Sequence, residues 1–423
     1  MKEGEKRAGG VPHLRFPGFE GEWEEKRLGE IAEIVRGGSP RPIESFITDN
    51  PHGLNWLKIG DINRDSKYVV KTEEKVIHSA IQKTRVVNPG DLILSNSMSF
   101  GRPYILKITT CIHDGWIAVT HIHKRVYTDY LYYEILGPTS QTYFLSNAAG
   151  SGVLNLNAEI IKALPIKFSS LPEQQKVADC LSSLDDLLTA HTKKLDTLKT
   201  YKKGLLQQLF PADGATTPAL RFPQFHHAGE WEEKKIEELC EFQEGYSFPS
   251  SSFVSKSPDT LQVIRITDIN NKNGNVEKVY INATVVQERR LTNYLVEKGD
   301  LLLSLTGAAG FNFFIWDSES SILNQRTMKI SFKKEHSLKL LLEYLLSDQI
   351  NAKGTGQNNN LSKDSLRNLL VKVPLCPEQQ KIADCLSSLD SLISAQEQKI
   401  HTLKLHKKAL MQQLFPQSGE AMV

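Results

Sequence analysis

Two stretches of the chain carry apolar side chains at alternating steps of four and three. The first passes through Val177, Leu181, Leu184, Leu188, His191, Leu195, Leu198, Lys202, Leu205 and Leu209. The second passes through Ile382, Leu386, Leu389, Ile393, Gln396, Ile400, Leu403, Lys407, Leu410 and Leu414. A spacing of ~3.5 residues is the period of a coiled-coil seam. Pro172 and Pro377 suit a first helical turn, where no N–H is required, and Pro211 and Pro416 stop the pattern. The spacing predicts two helices, each roughly 60 Å long at ~1.5 Å per residue.

Elsewhere the pattern is mixed. "DLILSN" at Asp91 and "DLLLSL" at Asp300 each follow a Gly-Asp turn and predict short strands. The stretches 127–148 and 337–353 predict helices that close at glycine loops, Gly150 and Gly152 in the first and Gly354 and Gly356 in the second. Asn157 and Ser362 then stand as N-caps of a short helix, with a strand, "PIKF" or "VKVPL", after it.

These elements occur twice in one order. "LRFPGFEGEWEEKRLGEI" at Leu14 is echoed by "LRFPQFHHAGEWEEKKIEEL" at Leu220, and "WLKIGDIN" at Trp56 by "VIRITDIN" at Val263. "PEQQKVADCLSSLDDLL" at Pro172 returns as "PEQQKIADCLSSLDSLI" at Pro377, and each copy ends in "QQLFP". Two long repeats are too few for a solenoid and fit a duplicated domain-plus-helix unit. The expected divisions are a variable domain at 1–170, a helix at 171–211, a second variable domain at 212–375, a second helix at 376–416 and a tail at 417–423.

Charge adds an orientation. Glu173, Asp179, Asp185 and Asp186 lie early in the first helix, and Lys193, Lys194, Lys199, Lys202 and Lys203 lie late. In the second, Glu378, Asp384 and Asp390 are early, and Lys399, Lys404, Lys407 and Lys408 are late. This order complements each helix dipole and favours an antiparallel pair, where acidic ends meet basic ends. Such a pair places the polar seam residues His191 and Gln396 near each other at its centre, where a polar contact sets register.

Composition narrows the class. The 423 residues are 40% hydrophobic and 24% charged, with a formal net charge of +2. That supports more than one core and gives no global cationic field, so a nucleic-acid partner requires local patches. The five cysteines show no metal-ligand spacing and read as reduced thiols of a cytoplasmic protein. "MKEGEKRAGG" lacks the apolar core of a signal peptide, and no apolar run approaches the ~20 residues that span a bilayer.

Catalytic signatures are missing. "NPHG" at Asn50 lacks the second proline and the aromatic residue of an adenine-methyltransferase loop and reads as a turn. "TGAAGF" at Thr306 lacks the lysine of a phosphate-binding loop, and no zinc-ligand or nucleophile-elbow spacing occurs. Two diverged domains on a constant helical spacer suit reading rather than cutting. Heads ~35–60 Å apart would meet one face of B-DNA between one and two turns apart. The expected target has two different elements and a fixed unread gap.

At this point the residues resemble a known family. "PEQQKIADCLSSLDSLI" after "GQNNNLSKDSLRNLLVKVPL", "RLGEIAEIVRGGSP" before "WLKIGDI", and the half-and-half layout look like the DNA-specificity subunit of type I restriction–modification systems. The resemblance covers nearly the whole chain. It implies an α+β fold: two mixed α/β target-recognition domains joined by two long antiparallel coiled-coil helices, with pseudo-two-fold internal duplication. It implies double-stranded DNA as ligand, two methyltransferase subunits as partners, and restriction subunits in the full complex. The chain itself would be non-catalytic, with S-adenosylmethionine, ATP and Mg bound by partner subunits.

Base readout uses Arg, Lys, Asn, Gln, Ser and Thr on loops or helix ends. In the first domain the candidates are Arg36, Ser39, Arg41, Arg64, Arg85, Asn96, Ser97 and Arg102; in the second they are Tyr246, Ser247, Arg265, Arg289, Arg290 and Thr306. Taken singly, each reads first as a solvent-facing side chain or a phosphate contact without base information. Two other classes remain open from sequence: a coiled-coil scaffold that binds proteins, and a nuclease of unrecognised type.

Overall fold

The structure is a computed structural model. It describes residues 7–8, 10–63, 66–96, 100–148, 156–270, 277–305, 313–332 and 363–416. Arg64, Ser97, Thr306, the expected helix at 337–353, the four loop glycines and Ser362 lie outside the described residues. Chain contacts divide the protein into two compact units, Met1–Lys193 with Glu397–Val423, and Lys194–Gln396.

In the first unit the strands are β1 (Arg7–Ala8), β2 (Glu24–Arg27), β3 (Glu33–Arg36), β4 (Leu54–Leu57), β5 (Tyr68–Val69), β6 (Glu74–Val76), β7 (Arg85–Val87), β8 (Leu92–Ser95), β9 (Pro103–Leu106), β10 (Thr110–Ile112), β11 (Trp116–Thr120) and β12 (Pro165–Phe168). They form sheets in the orders β1-β2-β12, β6-β4-β10-β7 and β3-β11-β8-β9-β5. The β4–β10 and β5–β9 pairs are parallel.

In the second unit the strands are β13 (Glu232–Lys235), β14 (Cys240–Glu244), β15 (Thr260–Ile264), β16 (Val279–Asn282), β17 (Leu295–Val296), β18 (Leu301–Ser304), β19 (Phe313–Ile315), β20 (Ser321–Leu323), β21 (Thr327–Phe332) and β22 (Leu370–Val373). Their orders are β13-β22, β14-β21-β18-β19 and β16-β15-β20-β17. Ten of the first unit's strands recur in the same sheet order, including one parallel pair, β15 with β20, while β1 and β5 have no counterpart among the described residues.

The unbroken apolar runs are explained by burial on both faces. Leu92 and Leu94 of β8 share a core with Trp23, Tyr130 and Phe144, while Ile93 between them faces a second core with Leu57 and Trp116. Strand β18 repeats this arrangement, with Leu301 and Leu303 in one core and Leu302 in another. The tryptophans of the two "GEW" stretches, Trp23 and Trp231, are buried anchors.

Helices span Leu171–Leu209 and Cys376–Gln413. None of the twenty seam positions is exposed, whereas off-seam leucines such as Leu187, Leu392 and Leu405 are. In the first unit Val177 and Leu181 of the first helix share a core with Leu410, Met411 and Leu414 of the second. In the second unit Leu205 and Leu209 pack with Ile382 and Leu386. Within each unit, an early segment of one helix thus lies against a late segment of the other, the antiparallel sense predicted from charge. Lys407 pairs with Asp185 in the first unit, and Lys202 pairs with Asp390 at 2.5 Å in the second.

The repeated "LRFP" and "PEQQ" stretches meet each other. Arg15 makes a two-pronged bond to Glu173 at 2.7 and 2.9 Å and also donates to the carbonyls of Gly21 and Glu20. Arg221 holds Glu378 at 2.7 Å through both prongs and donates to the carbonyls of Ala228 and Gly229. Gln174 is fully buried. It accepts from the Tyr127 N–H at 2.8 Å and donates to the Arg125 and Ser169 carbonyls, satisfying backbone groups that would otherwise be stranded. The repeated motif is a helix-start anchor.

Candidate nucleic-acid interface

Strand β3 ends at Arg36, and the next two residues are glycines. The Gly37 N–H donates to the Trp116 carbonyl at 2.9 Å, and the Gly38 N–H to that of Ile112 at 3.1 Å. A Cβ on Gly37 would overlap the His113 carbonyl, so this approach needs glycine. The segment is thereby clamped onto the β10–β11 turn, His113-Asp114-Gly115.

Four sequence candidates converge on that turn. The Ser39 hydroxyl donates to Asp114 Oδ1 at 2.8 Å and accepts from the Asp114 N–H at 3.3 Å. Arg36 Nε donates to the Asp114 carbonyl at 2.9 Å, and Asn96 Nδ2 reaches the same oxygen at 3.3 Å. Arg41 Nη2 lies 3.6 Å from Asp114 Oδ2, with its side chain 82% exposed. The Ser39 hydrogen bond holds the Asp114 carboxyl below its usual range, against a smaller opposing effect of burial. A partly exposed carboxylate flanked by exposed guanidinium groups presents acceptors and donors side by side.

The second unit repeats the clamp with other side chains. Gly245 N–H donates to the Thr327 carbonyl at 2.9 Å, and Tyr246 N–H to that of Leu323 at 3.1 Å. A Cβ on Gly245 would overlap the Asn324 carbonyl. The Ser247 hydroxyl donates to Gln325 Oε1 at 3.0 Å. Gln325 and Arg326 are exposed, and Arg326 has a φ of 65° where the first unit has Gly115. The Tyr246 ring packs on Phe248 and Tyr294, at 4.9 and 5.5 Å between centroids.

The remaining candidates are dispersed. Arg85 is exposed and opens β7 opposite Ile112, beside the turn. Arg102 is half-buried before β9, and its buried Nε makes no hydrogen bond among the described residues. Arg265 has a local structural task. Its N–H and guanidinium both reach Asp268 Oδ2, at 2.8 and 3.3 Å, and the guanidinium also donates to the Glu277 carbonyl. Lys58 repeats this in the first unit, with its N–H to Asp61 at 2.9 Å and its ammonium to Glu74 at 2.6 Å. Arg289 caps the helix Ala283–Glu288, and Arg290 follows with a φ of 55°; both are exposed.

Sequence reasoning missed Asp114 and Gln325, which are isolated polar residues without a pattern. It also missed a network in the first unit. Lys67 pairs with Asp129 at 2.6 Å, donates to Ser182 at 2.8 Å, and lies within 5.4 Å of the ring centroids of Tyr68, Tyr132 and Tyr133. Among the described residues no group of three His, Cys, Asp or Glu side chains is placed to hold a metal ion, and no helix is long and apolar enough to cross a membrane.

Comparison with known proteins supplies the family. The sequence pattern described as the type I restriction modification DNA specificity domain matches residues 20–200 and again 228–405. The chain is 23% identical over 413 residues to the type I restriction enzyme MjaVIII specificity subunit of Methanocaldococcus jannaschii, covering 93% of this chain and 92% of that one. It is 28% identical over 189 residues to the EcoBI specificity subunit of Escherichia coli, covering 43% of this chain and 38% of that one. The fold is similar to the crystal structure of a type I restriction-modification S subunit from M. genitalium, with a TM-score of 0.61 at 14% identity, covering 96% of this chain and all of that one. The doubled match, one per half, follows the same division as the doubled sheets and clamps: this chain belongs to the type I restriction–modification DNA specificity family.

Proposed function

We propose that each half of this chain reads one element of a bipartite, asymmetric DNA target. The long helices set the unread gap and dock the methyltransferase and restriction subunits of a type I system. The chain directs those subunits to the site and performs no chemistry itself. The observation that carries this reading is the contrast inside the repeat. The order of ten strands, the glycine clamps and the helix-start anchors are the same twice, while the exposed turn residues differ. Equivalent helix surfaces support two copies of a methyltransferase, and the place of work in this reading is the cytoplasm, where the five cysteines stay thiols.

The test is to express the chain with its cognate methyltransferase in a host and map methylated adenines. The expected result is one split motif with a fixed gap. Replacing residues 212–375 by the matching part of another family member should change one element only. Methylation without sequence dependence would sink the proposal.

A further inference from the structure

The clamp described above occupies the same place in both halves, and three of its features do not vary. A glycine closes on the turn carbonyl, backbone bonds pin the incoming segment across two strands, and a serine hydroxyl holds one side chain of the turn. What varies is the held side chain. It is a carboxylate at Asp114 and a carboxamide at Gln325, and both are solvent-facing. The neighbours vary too, with Arg36 and Arg41 beside the first and Arg326 beside the second.

A framework that fixes one side-chain position and leaves its chemistry free is what base reading requires. A reading group must be held by its neighbours, because a rotating one loses geometric discrimination. Serine does this in both halves without consuming the far face of the group it holds. A carboxylate has acceptor sites left after one bond from Ser39, and the Gln325 amide keeps both its donors after accepting from Ser247 through oxygen.

We propose that Asp114 and Gln325 are paired specificity-determining residues, one per target element, reading base edges in the major groove. The inference rests on the DNA-reading function proposed above. Asp114 would accept from a cytosine N4 amine, with Arg36 or Arg41 donating to the paired guanine. Gln325 would bond an adenine through N6 and N7, with Arg326 on a neighbouring guanine. Ser39 and Ser247 are positioning residues that act through them.

The experiment uses the full chain assembled with its methyltransferase. Asp114→Asn and Gln325→Glu keep size and keep an oxygen for the serine. Methylated sites are mapped, and duplexes bound by the purified complex are selected from a randomised pool. The expected result is that Asp114→Asn changes the preferred base at one position of one element, with about a tenfold or larger shift in preference there. Gln325→Glu should do the same in the other element only. Ser39→Ala should relax that same position and no other. If the wild-type complex selects a split motif and both held-residue variants select the same motif with the same preferences, this inference fails while the DNA-reading function stands. If the wild type selects no motif, that function fails first. Should a variant stop methylating while remaining assembled, selection decides: the wild-type motif overturns the inference, and a motif altered in one element supports it.

Discussion

The Tyr133 hydroxyl donates to the Asp185 carboxylate at 2.7 Å, tying helix Thr128–Leu136 to the first long helix. The same carboxylate receives Lys407. One acid therefore joins three elements of the first unit. Burial and the neighbouring carboxylate push the Tyr133 phenol far up, so it remains a donor at any ordinary pH. Tyr133→Phe should cost ~1.5–3 kcal/mol, the value of a hydrogen bond to a charged group. Asp185→Ala should cost more, because it strands two donors. Denaturant titration of the full chain, with hydrogen exchange to locate the loss in the first unit, checks both.

Breaking either helix-start anchor should be severe. Glu173 is 2% exposed and Glu378 1% exposed, each held by one arginine. Removing Arg15 or Arg221 leaves a buried carboxylate uncompensated, at ~3 kcal/mol or more. Arg15→Ala should lower the unfolding midpoint of the first unit and leave the second unchanged, with Arg221→Ala the mirror. Arg15→Lys should restore only part, since a single ammonium cannot make the two-pronged bond.

Gly37→Ala and Gly245→Ala should each destabilise the unit that carries them by ~2 kcal/mol or more, because the new Cβ meets a backbone carbonyl that cannot rotate away. Gly204→Ala is the control. A Cβ there meets open space in a helix, and the substitution should stabilise by ~1 kcal/mol. Thermal unfolding of the three variants distinguishes the outcomes.

Glu134 is fully enclosed, and burial pushes its carboxyl up to about 8, against the Lys167 N–H and ammonium, which favour the ionised form. Its folded value lies above its ordinary 4.5, so its contribution to stability is complete below that pH and is lost as pH rises towards 8. Glu134→Gln keeps a neutral hydrogen-bonding group. It should leave stability near pH 4.5 almost unchanged and raise it by the order of 4 kcal/mol at pH 8. Denaturation midpoints of wild type and variant across that range give the test. A constant difference at all pH values would contradict it.

Arg265 was a candidate for reading DNA, and the geometry assigns it to a turn. Arg265→Ala keeps the backbone N–H bond to Asp268 but loses the guanidinium bonds to Asp268 and the Glu277 carbonyl; it should lower stability by ~1–2 kcal/mol and leave the selected DNA motif unchanged. Selection from a randomised duplex pool with the variant complex measures this.

The long helices were legible from sequence because their information is local. A 3.5-residue period, prolines at the ends and dipole-ordered charges all act within a few turns of the same element, and Val177 through Leu209 carried the pattern unaided. The duplication was legible for the same reason, since "LRFP", "GEW" and "PEQQ" are short strings. The chemistry inside those strings was not. Nothing local says that Arg15 reaches Glu173 across 158 residues, or that Gln174 serves the backbone of Tyr127.

The candidate site divides in the same way. Arg36, Ser39 and Arg41 stood out as polar residues beside flexible glycines, but Asp114 in "CIHDGW" carried no signal. Its place beside Ser39, 75 residues away in the chain, exists only because β3 pairs with β11 and the glycine clamp closes on the turn. Ser247 and Gln325, 78 residues apart, meet by the same pairing of β14 with β21. The sequence alone determined a duplicated protein with two seamed helices and the sense of their pairing, because periodicity and charge order are properties of a continuous segment. Which side chain each serine holds out to solvent was decided only by the tertiary fold, because strand pairing brings together residues that no local rule relates.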